Sequence, residues 1–338
     1  MKTFKLPHFL YFANSSPFCR VFLLRKNTKL IFAHFFFLVI GLWQVGLVDA
    51  QTGFTTLSTG SSETDSLYSE MLLSVEGAIS ISAKVRQQIR LFGHEYNATG
   101  EYDELKTAEL RGKRDVRFRL VVQIQPPGGT KEVNSGNGLI IVCDSARNYL
   151  YRFTTIEGQD RLEMIDTKRV AEAIEKQGRN DISMEVGSMF GLGGLAGMLR
   201  ELRNRYDFNT APVKTQIPEK NNDMVVWKIR GRLKPEIVAS LTGDGTGKKR
   251  QIPKHTPTTI DIYIGMNDHF PFDRFPYRFD YFWTADGSES AGEPFAYLLF
   301  YNLILHDANI SESVFDCRPP RNILEEDVTD RVIHQMMR

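Results

Sequence analysis

Cysteine is scarce: the 338-residue chain holds three, Cys19, Cys143 and Cys317. That excludes a disulfide framework and a cysteine-based zinc site. An excess of either charge is lacking too, with 42 Lys and Arg against 41 Asp and Glu. The basic side is concentrated in the first 50 residues, where Lys2, Lys5, Arg20, Arg25, Lys26 and Lys29 face one acid, Asp49. The rest carries 36 basic and 40 acidic residues. A mildly acidic body offers no basic face for phosphates, which argues against a nucleic-acid partner. No apolar run reaches the roughly 20 residues of a spanning helix. The run Leu30–Trp43 stops at 14.

Catalytic and metal signatures are missing as well. His94, His255, His269, His306 and His334 include no pair at i, i+4 and no Cys/His cluster, so no metal site or cofactor is expected. No G-x-S-x-G elbow supplies a nucleophile for Asp268-His269. The glycines at 191, 193, 194 and 197 imitate a dinucleotide loop without a βαβ unit around them, and read instead as an apolar lid or helix entry. The Gly243–Arg250 stretch imitates a phosphate-binding loop, but Thr242 stands where a glycine is required and Lys249 where Ser or Thr is required. The expectation is a protein without enzymatic activity.

What is present begins with an address. Four cations from Arg20 to Lys29 precede the Leu30–Trp43 run, and Val48 and Ala50 form the small-residue pair of a cleavage site. Residues 1–50 therefore read as a signal peptide, and the protein as exported to the periplasm or cell envelope. An uncleaved anchor is the competing reading, disfavoured by the short run. Residues 51–70, rich in Ser, Thr and Gly, read as a flexible linker, with one folded domain over 71–338. In an oxidising compartment Cys143 and Cys317 either pair or stay as two buried thiols, and their spacing does not choose.

The dominant pattern after residue 71 has a period of two. Ile79, Ile81, Ala83, Val85, Ile89 and Leu91 alternate with Ser80, Ser82, Lys84, Arg86, Gln88 and Arg90, as in a strand with one dry and one wet face. Phe118, Leu120, Val122 and Ile124 repeat it. Further strands are expected over 139–143, 149–153, 224–229, 259–264, 277–283, 296–305 and 314–317, separated by Gly/Pro turns. Tyr277, Phe279, Tyr281 and Trp283 share one face of a strand, either as ordinary core or as the lining of an apolar cavity. Helices are expected over 168–176, 192–205 and 327–337. Strands flanking a central helical insertion give an α+β fold built on an antiparallel sheet.

A series of short landmarks resembles the LolA/LolB-like superfamily of periplasmic lipoprotein carriers and their exported relatives. They are Thr99-Gly100-Glu101-Tyr102, Arg117-Phe118-Arg119-Leu120, Val142-Cys143-Asp144 with Tyr149-Leu150-Tyr151, and Val226–Gly231. Gly265–Asp268 and the Phe315–Pro320 segment continue the order. The resemblance implies an incomplete β-barrel with helices over its mouth and an apolar cavity for acyl chains. It implies a basic residue near that mouth, at Arg114, and a ligand surface including Phe118, Leu120, Val122, Tyr281 and Trp283. The chain departs from the carriers in an insertion around 232–257. The resulting expectation is a monomeric, non-enzymatic envelope protein, peripheral to a membrane, that binds lipid or lipidated protein. Its alternative is a structural or protein-interaction module with a packed core, and an exported hydrolase ranks third.

Overall fold

The computed structural model describes residues 62–91, 94–107, 115–125, 138–144, 147–156, 158–176, 193–218, 224–242, 252, 256–266, 273–284, 292–306, 310–317 and 323–336. In chain order the elements are α1 (Ser62–Gly77), β1 (Ser80–Leu91), β2 (His94–Lys106), β3 (Val116–Gln125), β4 (Gly138–Asp144), β5 (Tyr149–Ile156), β6 (Gln159–Asp166) and α2 (Thr167–Glu175). Then come α3 (Gly194–Arg205), β7 (Tyr206–Asp207), β8 (Val213–Gln216), β9 (Val225–Leu233), α4 (Pro235–Thr242), β10 (Thr259–Gly265), β11 (Pro276–Phe282) and β12 (Ala296–Leu305). A 3-10 turn (Glu312–Phe315), β13 (Glu325–Asp327) and α5 (Thr329–Met336) complete them.

The strands form one curved sheet in the order β13-β6-β5-β4-β3-β2-β1-β12-β11-β10-β9-β7, with β8 on β9. It is antiparallel except where β13 runs parallel to β6. β13 and β7 lie at opposite ends of this order, so the sheet does not close into a barrel. The fold is thus α+β with few helices, as the period-two pattern requires. Curvature has a local source in β12. Its pairing with β1 slips between Ser82 and Lys84, and Asn302 there adopts φ 50°. An extra residue in left-handed conformation bends a strand and raises its twist.

Alternation assigns the faces. Ile81, Ala83 and Val85 on β1 stand opposite Glu104, Tyr102 and Gly100 on β2. These in turn oppose Phe118, Leu120 and Val122 on β3. All lie on one inner face, which continues through Phe300 on β12 and Phe279 and Tyr281 on β11. The outer face carries ion pairs instead. Arg230 grips Asp261 through two hydrogen bonds of 2.5 and 2.6 Å. Arg278 bonds Asp280 at 2.6 Å while its guanidinium lies 4.1 Å from the Tyr297 ring centroid. Asp261, Arg278 and Asp280 are buried, and burial lifts the Asp280 carboxyl above its ordinary range despite Arg278.

Several sequence expectations are corrected here. Residues 62–70, read as flexible linker, form the first turns of α1. The Ser and Thr content masked a helical stripe of Leu67, Tyr68, Met71 and Val75, all buried. Ile79 precedes β1 and is 62% exposed, because the strand's dry face begins only at Ile81. The 314–317 segment is not a strand: Val314 and Phe315 end the 3-10 turn, whose N-cap Ser311 accepts the Ser313 N–H. The 232–257 insertion begins with the end of β9 and with α4. The leader, residues 51–61 and the Gly243–Arg250 loop lie outside the described residues. Among the described residues, no helix is long and apolar enough to cross a membrane.

Candidate functional site

The inner face of the sheet is where the sequence-nominated side chains converge. An aromatic chain runs along it. Phe118 stacks on Tyr102 at 6.1 Å between centroids, and Tyr102 meets Phe300 edge-on at 5.7 Å. Phe300 contacts Phe275 at 6.2 Å and Phe279 at 6.3 Å, and Phe275 meets Tyr277 at 5.5 Å. The β3 triplet and the β11 aromatics therefore share one interior, as alternation demands. Phe118, Val122 and Tyr281 are buried, whereas Leu120 is only partly so. Trp283 lies one residue past the end of β11 and is partly buried. Arg114 lies outside the described residues.

Two helices cover this face. From α1 come Leu67, Tyr68, Met71 and Val75, and from α3 come Leu195, Ala196, Met198, Leu199 and Leu202, all in the same apolar cluster as the strands. The Tyr68 hydroxyl donates to the Leu199 carbonyl, its phenol held far above its usual range by burial. Phe208 packs on the Tyr68 ring at 4.9 Å. Burial likewise pushes the Tyr206 phenol up to about 12, its hydroxyl donating to the Pro257 carbonyl at 2.9 Å.

Polar atoms at the helix ends hold the cover in place. Glu104, fully buried on β2, accepts the Leu195 N–H at 2.8 Å and the Tyr102 hydroxyl. Its carboxylate so meets a free donor at the start of α3, where the helix dipole favours negative charge. Two residues on, Lys106 sits 3.2 Å from Glu104 and donates to the Val75 and Ala78 carbonyls at the end of α1. One buried ion pair on one strand thus caps both helices with the polarity each end prefers. Neither residue could be singled out from the sequence, since Glu104 and Lys106 look like any charged residues of a half-wet strand.

Gly194 makes the approach of Glu104 feasible. Its φ is +58°, and a Cβ there would stand 2.3 Å from the Glu104 carboxylate. Gly194→Ala should therefore lose about 2 kcal/mol or more from left-handed strain and the displaced carboxylate together. A urea midpoint within error of wild type would contradict this placement.

The cover is uneven. Phe279, Ile262 and Ala98 have no exposed surface. Leu120, Ile124 and Ile141, on β3 and β4, are only partly buried. Leu120 pairs with Ile141, and Ile141 with Arg152 on β5, which pairs with Glu163 on β6. This row runs from apolar to charged. Arg152 and Arg161 ion-pair with buried Glu163, with Arg331 of α5 at 3.7 Å. Burial and the neighbouring guanidiniums lower Arg152 to about 10.

Of the two alternatives open for Cys143 and Cys317, the structure has the unpaired one, with both thiols free, Cys143 buried and Cys317 partly so. Cys143 faces inward, opposite Phe118 and Leu150. Cys317 lies beside Asp144 and Tyr151 in an outer-face cleft, so the sheet itself separates them. Burial raises both thiols, Cys317 to about 11. In the native full chain, maleimide should label Cys317 slowly and Cys143 only after unfolding, as read by peptide mapping. A Cys143–Cys317 cross-linked peptide would refute this geometry.

No protein-family model matches the chain, and no curated protein matches it. Solved structures are similar to it in part. A DUF1329 family protein from Desulfovibrio piger is 12% identical, with a TM-score of 0.32 over 76% of this chain and 98% of that one. A putative outer membrane lipoprotein-sorting protein domain from Vibrio parahaemolyticus is 11% identical, with a TM-score of 0.30 over 74% and 95%. The Mycobacterium tuberculosis lipoprotein LppX is 11% identical, with a TM-score of 0.30 over 71% and 93%.

Proposed function

We propose that the protein is a non-enzymatic, envelope-located binder of lipid or lipidated protein, taking an acyl chain on the inner face of its sheet. The observation that carries this reading is the partly buried apolar row of Leu120, Ile124 and Ile141, beside a face otherwise covered by two helices. An acyl chain needs no hydrogen bonds, and burying apolar surface gives about 25 cal/mol per Å². The basic and apolar leader pattern supports export to the envelope. A monomer working at a membrane surface is the simplest form of this reading.

A packed interaction module is the second reading, favoured by the complete burial of Phe279 and its neighbours under α1 and α3. Native mass spectrometry of gently purified protein separates the two. Co-purified lipid is expected on the first reading, and a clean apo mass on the second. Leu120→Glu sharpens the comparison. Because Leu120 is partly exposed, the new carboxylate can reach water, so the variant should stay soluble and β-rich. Lipid should be lost from it. Retained lipid in a folded Leu120→Glu variant would move the ligand away from this row.

A further inference from the structure

An acyl chain arrives with a polar end, and that end is costly to bury without a partner. Three helices frame the part of the inner face where both ends of a lipid can lie. α3 packs against β3, α2 against β5 and α5 against β6. One transverse row crosses this ground from β2 to β6: Tyr102, Leu120, Ile141, Arg152 and Glu163. Leu120 and Ile141 are only partly buried, and the Arg152 side chain is 22% exposed. Solvent therefore reaches three consecutive members of the row, two apolar and one cationic. Strand spacing sets Arg152 about 10 Å from Leu120.

The two ends of the row differ in polarity. At one end Tyr102 is buried and its hydroxyl is committed to the fully buried Glu104 carboxylate, so an anion there would meet a like charge. At the other end Arg152 pairs with Glu163, which also holds Arg161 at 2.9 Å and Arg331 at 3.7 Å. Arg161 and Arg331 hold Glu326 as well. Three guanidiniums thus share the Glu163 carboxylate beside the apolar row. Because Arg161 and Arg331 stay on Glu163, Arg152 can exchange it for another anion without stranding a buried charge. Burial and the same two neighbours all disfavour the Arg152 charge, and an anion on its guanidinium offsets them.

We propose that the lipid bound on this face is an anionic amphiphile, its chain lying on Leu120 and Ile141 and its oxyanion, a carboxylate or phosphate, on Arg152. This rests on the acyl-binding function proposed above and adds the charge of the ligand to it. The guanidinium fork matches either oxyanion.

Calorimetric titration of the full chain with decanoate, decanol, decyltrimethylammonium and acetate tests it. Decanoate should bind at least tenfold tighter than decanol, and decyltrimethylammonium more weakly than either. Arg152→Gln should bring decanoate down to the affinity of decanol. Arg161 and Arg331 keep Glu163 compensated, so the variant should fold, which circular dichroism checks. Arg152→Lys, which keeps the charge but not the fork, should retain a preference for decanoate. Should the glutamine variant not fold, the wild-type preference and the lysine variant decide. Acetate binding as tightly as decanoate would make this a site for free anions and overturn the lipid assignment. The anionic headgroup is refuted, with acyl binding intact, if decanoate and decanol bind alike or if a folded Arg152→Gln variant keeps the preference. If no amphiphile binds, both fall.

Discussion

Lys106→Met is expected to lose roughly 3–5 kcal/mol of stability, the usual effect of removing one partner of a buried ion pair. Lys106 and Glu104 are 7% and 0% exposed, and no water can replace the ammonium without opening the cover. The loss has two parts. The Glu104 carboxylate stays buried without its counter-charge, and the Val75 and Ala78 carbonyls at the end of α1 lose their donor. The double variant Glu104→Gln/Lys106→Met should recover a large share. A glutamine oxygen can still accept the Leu195 N–H, and no uncompensated charge remains. Urea denaturation of wild type, both single variants and the double variant gives the coupling directly. Additive losses would mean that the pair does not act as one clamp on the two helices.

Phe279→Ala should cost about 3–5 kcal/mol, the range for deleting a fully buried phenylalanine. Phe279 is wholly inaccessible and lies mid-strand, paired with Ile262 on one side and Leu298 on the other. Neither neighbour can move inward without breaking its ladder, so the void should persist. Leu120→Glu on the same face should cost much less, since Leu120 borders the partly covered row. Comparing their urea midpoints maps where the inner face is solid and where it can yield. Equal losses at the two positions would show that the row along β3 and β4 is as closed as the rest, leaving the acyl reading without its site.

Much of this arrangement was legible in the residues. Strict alternation on β1 and β3 announced the inner face, because a one-residue slip would turn every apolar side chain into water. Ala296–Leu305 matched β12 in full, and the stripe of Leu195, Met198, Leu199 and Leu202 announced α3. The misses have physical causes. α1 was hidden because its first turns are rich in Ser, Thr and acids, while its four buried apolar residues lie at helical spacing. β13 is three residues long and acidic; it is a strand only because β6 offers it an edge. Val314–Cys317 carries apolar residues that suit a strand, yet Phe315 is buried by folding back as a 3-10 turn on β3 and β4.

The sequence by itself determined the period of the strands, and so which side chains share a face. It also determined the scarcity of thiols and the near-balance of charge in the body. Tertiary structure alone decided what those faces meet. Glu104 became a helix cap because strand pairing and the left-handed Gly194 bring it to the first donors of α3. Cys143 and Cys317 were kept apart because neighbouring residues on a strand point to opposite sides, placing a sheet between two thiols that spacing alone left free to pair. Asp144 and Asp316 are 172 residues apart in sequence, and only the turn at Phe315 folding onto β4 brings them to one cleft. Alternation is a local rule that residues carry with them, whereas the partners of each face depend on contacts across long stretches of chain.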